Sequence, residues 1–355
     1  MDIRIHSGEL NRIARIMAGS VDSRNVTFSN VEICHENNMV TFRAYSGVEF
    51  LNLSVPLMGG DGEKVRIDGK LLQKVASVQK GEVHIVSDGK AVTFRGTGRT
   101  KIPIVQGDVM SPGEISGDMI RVKGSYFLNA INKTAYAIST DQTRVILTGA
   151  LVETERGTMR MVALDGFQMS VENCPYLEGE LKTVIPGGTL DRFKQCILAD
   201  DIVTITTDGK RVRIAVPGAE IISGVLQGEY IEYQKLIPND PITEARLRTE
   251  NVKQALRGAM EIGDVKMPIK LSFSGNRVRI TSNSAMADFE ETLDCELMGQ
   301  DMNIAFMGRY MMNALAAVED EYITVKMRTS VAPAVIHTND GKGTRLFLPV
   351  RVFDK

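Results

Sequence analysis

The sequence predicts an α+β fold built from three tandem repeats, each with two helices packed on antiparallel sheets. Two observations predict the repeat. The turn Asp88-Gly89 returns as Asp208-Gly209, 120 positions later, between similar alternating strands. An independent strand pattern recurs at steps of 119 residues, at Val40, Met159 and Val278. Because two registers give nearly the same period, we expect one structural unit copied three times.

Each repeat is expected to have two halves, and each half to contain one helix followed by alternating strands. Turn-rich stretches at 111–118 and 238–241 predict domains 1–116, 117–240 and 241–355. The strongest helical pattern is a single apolar stripe in 250–260, with apolar residues at i, i+3, i+4, i+7 and i+8. Helices are predicted at Glu9–Met17, Leu71–Lys80, Tyr126–Ile138, Thr189–Leu198, Glu250–Met260 and Tyr310–Val318.

Composition is typical of a soluble globular protein: 355 residues, 43% of them apolar and 24% charged. No apolar run approaches the length of about 18 residues that a membrane-spanning helix needs, and the N-terminus lacks a signal-peptide pattern. The four cysteines are scattered without a CxxC pair, at Cys34, Cys174, Cys196 and Cys295. We therefore expect a cytoplasmic protein with reduced thiols, no metal site, no cofactor and no membrane partner.

Charge is distributed unevenly between the helices and the rest of the chain. The net charge is -2, yet the six helical windows carry +8 and the remainder carries -10. Lysine and arginine decorate many solvated helix faces, so one basic helix would mean little. Six of them predict a surface that meets the phosphates of duplex DNA without reading bases. The basic residues are Arg12, Arg15, Lys70, Lys74, Lys80, Lys133, Arg192, Lys194, Lys253, Arg257 and Arg309.

No catalytic constellation is found in the sequence. None of the four histidines has metal-ligand spacing or a neighbouring nucleophile, and the glycine-containing segment 96–101 lacks the spacing of a phosphate loop. We therefore expect a protein that is not an enzyme. Two other classes stay open: a repeat-built interaction scaffold that never encircles DNA, and a hydrolase with a hidden carboxylate pair.

Four segments, in order along the whole chain, resemble the bacterial sliding clamp family, the beta subunit of the replicative DNA polymerase. Arg144–Glu153 resembles the family's R-x-x-L-x-G-x-x-x-E, and Ala163–Met169 resembles A-T-D-G-H-R-L. Gly228–Pro238 is similar to G-x-[FY]-P-x-Y-x-x-[LV]-[IL]-P, and Leu348–Val352 stands where the family has M-P-M-R-L.

The resemblance implies a processivity factor for DNA replication: a head-to-tail homodimer that forms a six-domain ring around duplex DNA, regardless of sequence. Twelve basic helices would line the hole, and Arg24 matches a DNA-contacting position. The ring would close where a basic edge of the first domain meets an acidic edge of the third. The residues implied at this interface are Lys74, Arg95, Arg99 and Lys101, facing Asp288, Glu290 and Glu291.

The resemblance also implies a hydrophobic pocket that binds short peptide motifs of the polymerase, the clamp loader and repair proteins. Four positions depart from the family, with Leu164 for threonine, Phe167 for histidine, Gln168 for arginine and Ile231 for proline. These changes make the pocket more apolar and less basic. The implied pocket residues are Leu147, Leu164, Gly166, Phe167, Gln168, Met169, Ile231, Tyr233, Lys235, Leu236, Leu346, Leu348, Pro349, Val350 and Arg351.

Overall fold

The computed structural model describes residues 1–36, 38–56, 64–264 and 266–351, so Val352 of the fourth motif lies outside the described residues. Six α-helices occur in these ranges at the predicted places. Two of them continue as 3-10 turns, Ala135–Ala137 and Lys194–Cys196, which account for the longer helices that the sequence predicted there. The helices are α1 Ser7–Gly19, α2 Gly69–Val78, α3 Gly124–Thr134, α4 Gly187–Phe193, α5 Thr249–Ile262 and α6 Gly308–Ala316.

The described strands fall between the helices as two sets per repeat. Those before α4 are β1 Asp2–His6, β2 Asn30–Glu36, β3 Met39–Tyr45, β4 Glu49–Pro56, β5 Lys64–Asp68, β6 Glu82–Ser87, β7 Ala91–Arg95, β8 Arg99–Pro103, β9 Asp118–Lys123, β10 Gly149–Glu155, β11 Thr158–Leu164, β12 Gln168–Pro175, β13 Glu178–Gly179 and β14 Lys182–Pro186. Those after α4 are β15 Ile202–Thr207, β16 Arg211–Val216, β17 Ala219–Gly224, β18 Thr243–Arg248, β19 Ile269–Ser274, β20 Arg277–Asn283, β21 Asp288–Asp294, β22 Glu296–Gly299, β23 Met302–Phe306, β24 Tyr322–Met327, β25 Ala334–His337 and β26 Gly343–Phe347.

The chain forms two compact units, and each takes part of the predicted central domain. The first unit is Met1–Leu128 with Tyr176–Val225, and the second is Asn129–Pro175 with Leu226–Lys355. The three domain boundaries drawn from the sequence therefore stay a prediction. Helices on antiparallel sheets in both units confirm the α+β class.

The first unit contains two antiparallel sheets. One has four strands in the order β1-β6-β7-β8, and the other has nine in the order β13-β9-β15-β16-β17-β4-β3-β2-β5. The second sheet is continuous across the boundary between the first two repeats, because β17 pairs with β4. Its pairing sets Ile221 opposite Leu51.

The second unit repeats this plan. A four-stranded sheet has the order β21-β20-β19-β23, and a larger sheet contains the run β10-β11-β12-β26-β25-β24-β18-β22. Here β12 pairs with β26, with Arg345 opposite Ser170. A strand of the central repeat thus continues into the third repeat's sheet.

Each helix closes a core against its sheets through one apolar face. In α5 four residues of the predicted stripe, Val252, Ala255, Leu256 and Ala259, are buried and pack with Leu271 and Phe273 of β19 and with Met311 of α6. The fifth, Met260, is exposed. Asp68 caps the start of helix α2: its carboxylate accepts a hydrogen bond from the Leu71 amide at 2.8 Å and so satisfies a free donor of the first turn. No helix of the described chain combines the length and apolar character needed for a membrane crossing.

Candidate functional site

The basic helix residues divide into exposed groups and groups already bound within the chain. Five of them are exposed and have no acidic partner among the described residues: Arg15, Lys70, Lys74, Lys80 and Arg257. Arg309 is also exposed; its guanidinium lies 4.7 Å from the centre of the Tyr310 ring and donates to the Tyr310 hydroxyl. These six are the cations best placed to bind an external phosphate.

The three acidic residues of the predicted helices each bind a cation one turn later. Arg12 contacts Glu9 at 2.7 Å, and the other two pairs, with distances of 2.6 and 3.0 Å, are Lys194–Asp191 and Lys253–Glu250. The hydrogen bond from Arg12 lowers the pKa of Glu9 and raises that of Arg12. All three cations are half-buried, and Lys253 also donates to the Val318 carbonyl at 3.4 Å, so each is already engaged within its own part of the chain.

Two predicted cations have partners far away in the sequence. Lys133 is largely covered and contacts Glu319 at 3.3 Å. Arg192 forms a two-pronged ion pair with the buried Glu49, which also accepts a hydrogen bond from Thr189 at 2.8 Å. Arg192 therefore fastens α4 to β4 within the first unit, and its assignment to DNA stays a prediction.

Arg24 lies in the loop that follows α1. Its side chain is almost fully exposed and makes a 3.2 Å contact with Asp22, which also accepts a hydrogen bond from the Arg24 amide. An exposed arginine held in this way can reach outward, and its assignment to DNA stays a prediction.

The predicted interface residues occupy the ends of the two four-stranded sheets. In the first unit β8 is the last strand of its sheet, with Arg99 and Lys101 exposed on one face. In the second unit β21 is the last strand of its sheet, with Asp288 and Glu290 exposed and Glu291 half-buried. Each sheet thus ends in a strand whose outer backbone groups are unpaired within the described chain, and the two edges carry opposite charge.

One edge cation and one edge anion have partners of opposite charge inside the chain. Lys101 lies 2.6 Å from Asp88, and Glu290 lies 3.8 Å from Arg279. Arg95 and Arg99 pair across the β7–β8 hairpin, where their like charges disfavour the free edge. An acidic partner against these arginines would relieve that repulsion.

All predicted pocket residues lie in the second unit, where three segments meet around the start of β12. Met169 is opposite Leu346 in the strand pairing, and the Leu348 amide donates to the Phe167 carbonyl at 2.8 Å. The segment 228–236 is held onto β10 and β11 by two tyrosines. Tyr230 donates to the Val162 carbonyl at 3.2 Å, and Tyr233 donates to Glu153 at 2.7 Å.

The pocket residues differ in how much of each side chain a ligand could touch. Phe167, Ile231, Lys235 and Leu236 are exposed, whereas Leu348, Pro349 and Val350 are half-buried. Gly166 and Arg351 are exposed as well. Five others belong to the core and would form at most the floor of the site: Leu147, Leu164, Met169, Tyr233 and Leu346.

Gln168 is buried and all of its amide atoms are engaged. Its nitrogen donates to the Tyr136 carbonyl at 3.1 Å and to Asp165 at 3.0 Å, and its oxygen accepts from Asn313 at 3.3 Å. Its side chain therefore organises the hairpin before β12 and is not free for a ligand. The arginine typical of the family would bring a charge here that Gln168 does not.

Sequence reasoning missed three residues around this hairpin. Tyr310 stacks on Phe167 with ring centres 5.5 Å apart and planes 11° apart. Asp165 accepts the amides of Phe167 and Gln168 at 2.7 and 2.9 Å, and a Cβ at Gly166 would lie 2.9 Å from the Arg144 guanidinium. Arg144 stands in the first family-like motif and could have been included; Tyr310, at a helix start, carried no signal.

Within the described ranges no cluster of three histidine, cysteine, aspartate or glutamate side chains is placed to hold a metal. Burial raises the pKa of Cys174 to about 12 and that of Cys196 to about 11, so both thiols stay protonated near neutral pH.

Comparison with known proteins gives a consistent result. Two family models match adjacent parts of the chain: the DNA polymerase III beta subunit central domain over residues 121–232, and its C-terminal domain over residues 234–351. The beta sliding clamp of Bacillus subtilis strain 168 is 29% identical over 248 residues, covering 66% of this chain and 65% of that protein. The beta sliding clamp of Caulobacter vibrioides is 25% identical over 279 residues, covering 75% of each.

Solved structures show the same fold. The Bacillus subtilis sliding clamp superposes with a TM-score of 0.90 at 22% identity, covering 99% of this chain and all of that one. A Pseudomonas aeruginosa sliding clamp bound to griselimycin gives 0.91 at 18% identity with similar coverage. With the repeat, the paired sheets and both family models in agreement, the chain belongs to the DNA polymerase III beta subunit family, the beta sliding clamps.

Proposed function

We propose that this protein is a DNA sliding clamp: a non-catalytic processivity factor of cytoplasmic DNA replication whose two copies pair head to tail and enclose duplex DNA. Family membership supports the clamp function, and strand pairing inside the chain supports the ring. The observation that carries the ring is a junction between repeats that occurs twice with one register. The two halves of a third junction lie at the free ends of the four-stranded sheets.

The register can be followed outward from the sequence repeat. In the second half of each repeat, the repeated strand (β6, β15 or β24) pairs with the strand that follows it (β7, β16 or β25). That strand pairs in turn with the last strand of the repeat (β8, β17 or β26). The successive cross-strand partners are Ile85, Phe94 and Thr100; Ile205, Ile214 and Ile221; and Val325, Ile336 and Arg345. Thr100, Ile221 and Arg345 are therefore equivalent positions in β8, β17 and β26.

The first halves give a matching set. Their hairpin pairs are Ala44–Leu51, Ala163–Ser170 and Ser282–Phe289, at steps of 119 residues. Leu51, Ser170 and Phe289 are therefore equivalent positions in β4, β12 and β21. The two junctions inside the chain join equivalent residues, since Ile221 pairs with Leu51 and Arg345 pairs with Ser170.

The same register applied to the free strands sets Thr100 opposite Phe289 of a second copy. Because the strands are antiparallel, the flanking residues then form two pairs of opposite charge. Each such cross-strand pair is worth about 0.2–1 kcal/mol. The pairs are Arg99 with Glu290 and Lys101 with Asp288; Lys74, Arg95 and Glu291 would lie at the margin of this contact.

An apolar contact supports the same junction. In the second unit, Phe167 stacks on Tyr310, the third residue of α6. The equivalent positions at the free edges are Met286, which is 97% exposed, and Leu71, which is 42% exposed and is the third residue of α2. Two exposed apolar side chains at positions that touch elsewhere in the chain favour a second copy as the occupant. Because the basic edge of one copy meets the acidic edge of the other, the proposed contact is heterologous, and in the proposed ring it is made twice by two copies.

Enclosure explains how a weakly basic surface could retain DNA. The exposed cations Arg15, Lys70, Lys80 and Arg257, with Arg24 and Arg309, would contact phosphates without base readout. Each contact is weak and salt-dependent, which permits sliding, while the closed ring prevents escape. The pocket around Met169 and Leu348 would hold peptide motifs of polymerase, clamp loader and repair proteins, because apolar groups from separate segments converge there.

The test compares retention on two templates. The protein is loaded onto nicked circular DNA by a clamp loader, and half of the sample is then cut once to make it linear. A sliding ring stays on the circle for many minutes and runs off the linear form. Equal loss from both templates would overturn the proposal, and a monomer at micromolar concentration in sedimentation would favour the interaction scaffold instead.

A further inference from the structure

The hairpin between β11 and β12 presents an aromatic side chain to solvent. Phe167 is 55% exposed although one face of its ring is covered by Tyr310. The exposed part of Phe167 is therefore ring surface that no described neighbour covers. Such a residue loses apolar contact with water only if a ligand covers it.

Phe167 is held in place from several sides. Its amide donates to Asp165 at 2.7 Å and its carbonyl accepts from Leu348 at 2.8 Å. Tyr310 is nearly buried, so the surface on which Phe167 stacks is fixed by the core of α6. A ring held by backbone and stacking contacts loses little conformational freedom on binding, which favours affinity.

The surroundings of the ring are cationic. Arg309 lies over Tyr310, and Arg144 lies beside Gly166, the residue before Phe167. The carboxylate within the hairpin, Asp165, accepts hydrogen bonds from two backbone amides and from the Gln168 side chain. Exposed guanidinium groups next to an aromatic face suit a segment that combines an aromatic ring with a carboxylate.

We infer that Phe167 is a platform that selects partner peptides with an aromatic side chain beside an acidic residue. This inference rests on the proposed clamp function, because it assigns a preference to the same peptide pocket. The bond between Phe167 and Leu348 makes the platform continuous with that pocket. A ring stacked on Phe167 places the neighbouring peptide carboxylate toward Arg144.

The chain contains no tryptophan, so a tryptophan peptide can be followed by its own fluorescence. The probe is acetyl-Gly-Asp-Trp-Leu-Leu-Gly-amide, titrated with the full-length protein. Competitors replace its tryptophan with cyclohexylalanine, which is apolar but not aromatic, or its aspartate with asparagine. We expect each competitor to bind about three- to ten-fold more weakly than the parent, the range of one stacking or charge-assisted contact.

Protein variants separate the platform from the rest of the pocket. Phe167→Leu should weaken the probe about three- to ten-fold and remove the advantage of tryptophan over cyclohexylalanine, while Phe167→Tyr keeps both. Tyr310→Leu should also weaken binding of the probe, because it removes the ring on which Phe167 stacks and so lets the Phe167 side chain move. Met298→Ala, which removes an exposed apolar side chain from β22 in the same unit, is the matched control and should change nothing.

The outcomes distinguish this inference from the proposed function. Full binding by Phe167→Leu, or equal competition by cyclohexylalanine, overturns the platform, as does failure of wild type to bind the probe. If Met169→Ala with Leu348→Ala abolishes binding while Phe167→Leu leaves the affinity for the probe unchanged, the pocket is supported and the platform is wrong. If the platform results hold but the protein leaves circular and linear DNA equally fast, the clamp proposal fails by itself.

Discussion

The charge pair proposed between Arg99 and Glu290 of a second copy gives the sharpest test of the ring. Arg99→Glu places a carboxylate opposite a carboxylate at both junctions of the dimer. Arg99 is the best choice because it has no acidic partner among the described residues, whereas Lys101 is bound to Asp88. Any loss of dimer stability is then assigned to the contact between copies.

The magnitude follows from the geometry of antiparallel strands. An opposite-charge pair stabilises by about 0.2–1 kcal/mol and a like-charge pair destabilises by a similar amount. Reversal therefore changes each junction by roughly 0.4–2 kcal/mol, and a closed dimer has two junctions, for a total of about 1–4 kcal/mol. The middle of this range, about 2.5 kcal/mol, corresponds to a dissociation constant raised about sixty-fold. Because both side chains are exposed, the effect should shrink in high salt.

Sedimentation velocity over a dilution series measures the dissociation constant. Glu290→Arg combined with Arg99→Glu restores the opposite-charge pair and should recover most of the lost dimer stability. The recovery is incomplete because the new arginine at position 290 is repelled by Arg279, which lies 3.8 Å from Glu290 in the wild type. Asp288→Arg with Arg99→Glu tests the register, since this pairing would be displaced by two residues. Rescue by Asp288→Arg as complete as by Glu290→Arg would refute the register, and an unchanged constant in Arg99→Glu would refute the contact.

Three other predictions follow from the described contacts. Glu172 accepts a hydrogen bond from Arg345 at 2.5 Å, and both side chains are almost fully buried. Glu172→Leu would leave the buried guanidinium of Arg345 without its counter-charge, so it should lower the free energy of unfolding, measured by urea titration, by about 3–5 kcal/mol. A loss below about 1 kcal/mol would contradict this. The raised pKa values of Cys174 and Cys196 predict slow alkylation by iodoacetamide at pH 8.5, with rapid reaction after unfolding as the control. Because these thiols ionise more readily in the unfolded chain, they should also make the protein less stable as pH rises through about 8.5. Finally, Arg15→Ala should reduce the slope of the logarithm of DNA affinity against the logarithm of salt concentration by about 1, without loss of stability. Arg192→Ala should instead lower the midpoint of unfolding, because it leaves the buried carboxylate of Glu49 without its ion pair. Equal effects of the two variants on the salt slope would contradict the distinction between free and internally bound cations.

The repeat and the helices could be predicted because their signals are local. Alternating strands and a helical apolar stripe are read within a dozen residues, and two independent registers gave nearly the same period. The central helices were predicted too long at one end, since the chain there continues as 3-10 turns whose local pattern resembles α-helix. Such ends depend on the hydrogen bonds of a single turn.

The site could be predicted only as a set of residues. Counting charge along the helices cannot reveal that Arg192 is bound to Glu49, 143 positions away, because that pair forms only when β4 and β17 are joined. The same holds for Gln168, whose partner Asn313 comes from another repeat. The sequence predicts both residues as candidates for ligand contact, and the fold engages both in internal bonds that no local pattern reveals.

The sheets that cross from one repeat into the next have a consequence for anyone who would cut this protein into pieces. A fragment that ends between repeats would lose the partner of β4 or of β12 and leave unpaired the backbone of a strand whose residues are mostly buried in the intact chain. Strands with unpaired backbone groups tend to form hydrogen bonds with strands of other molecules. Excised repeats should therefore aggregate, and useful truncations would have to keep both members of each cross-repeat strand pair.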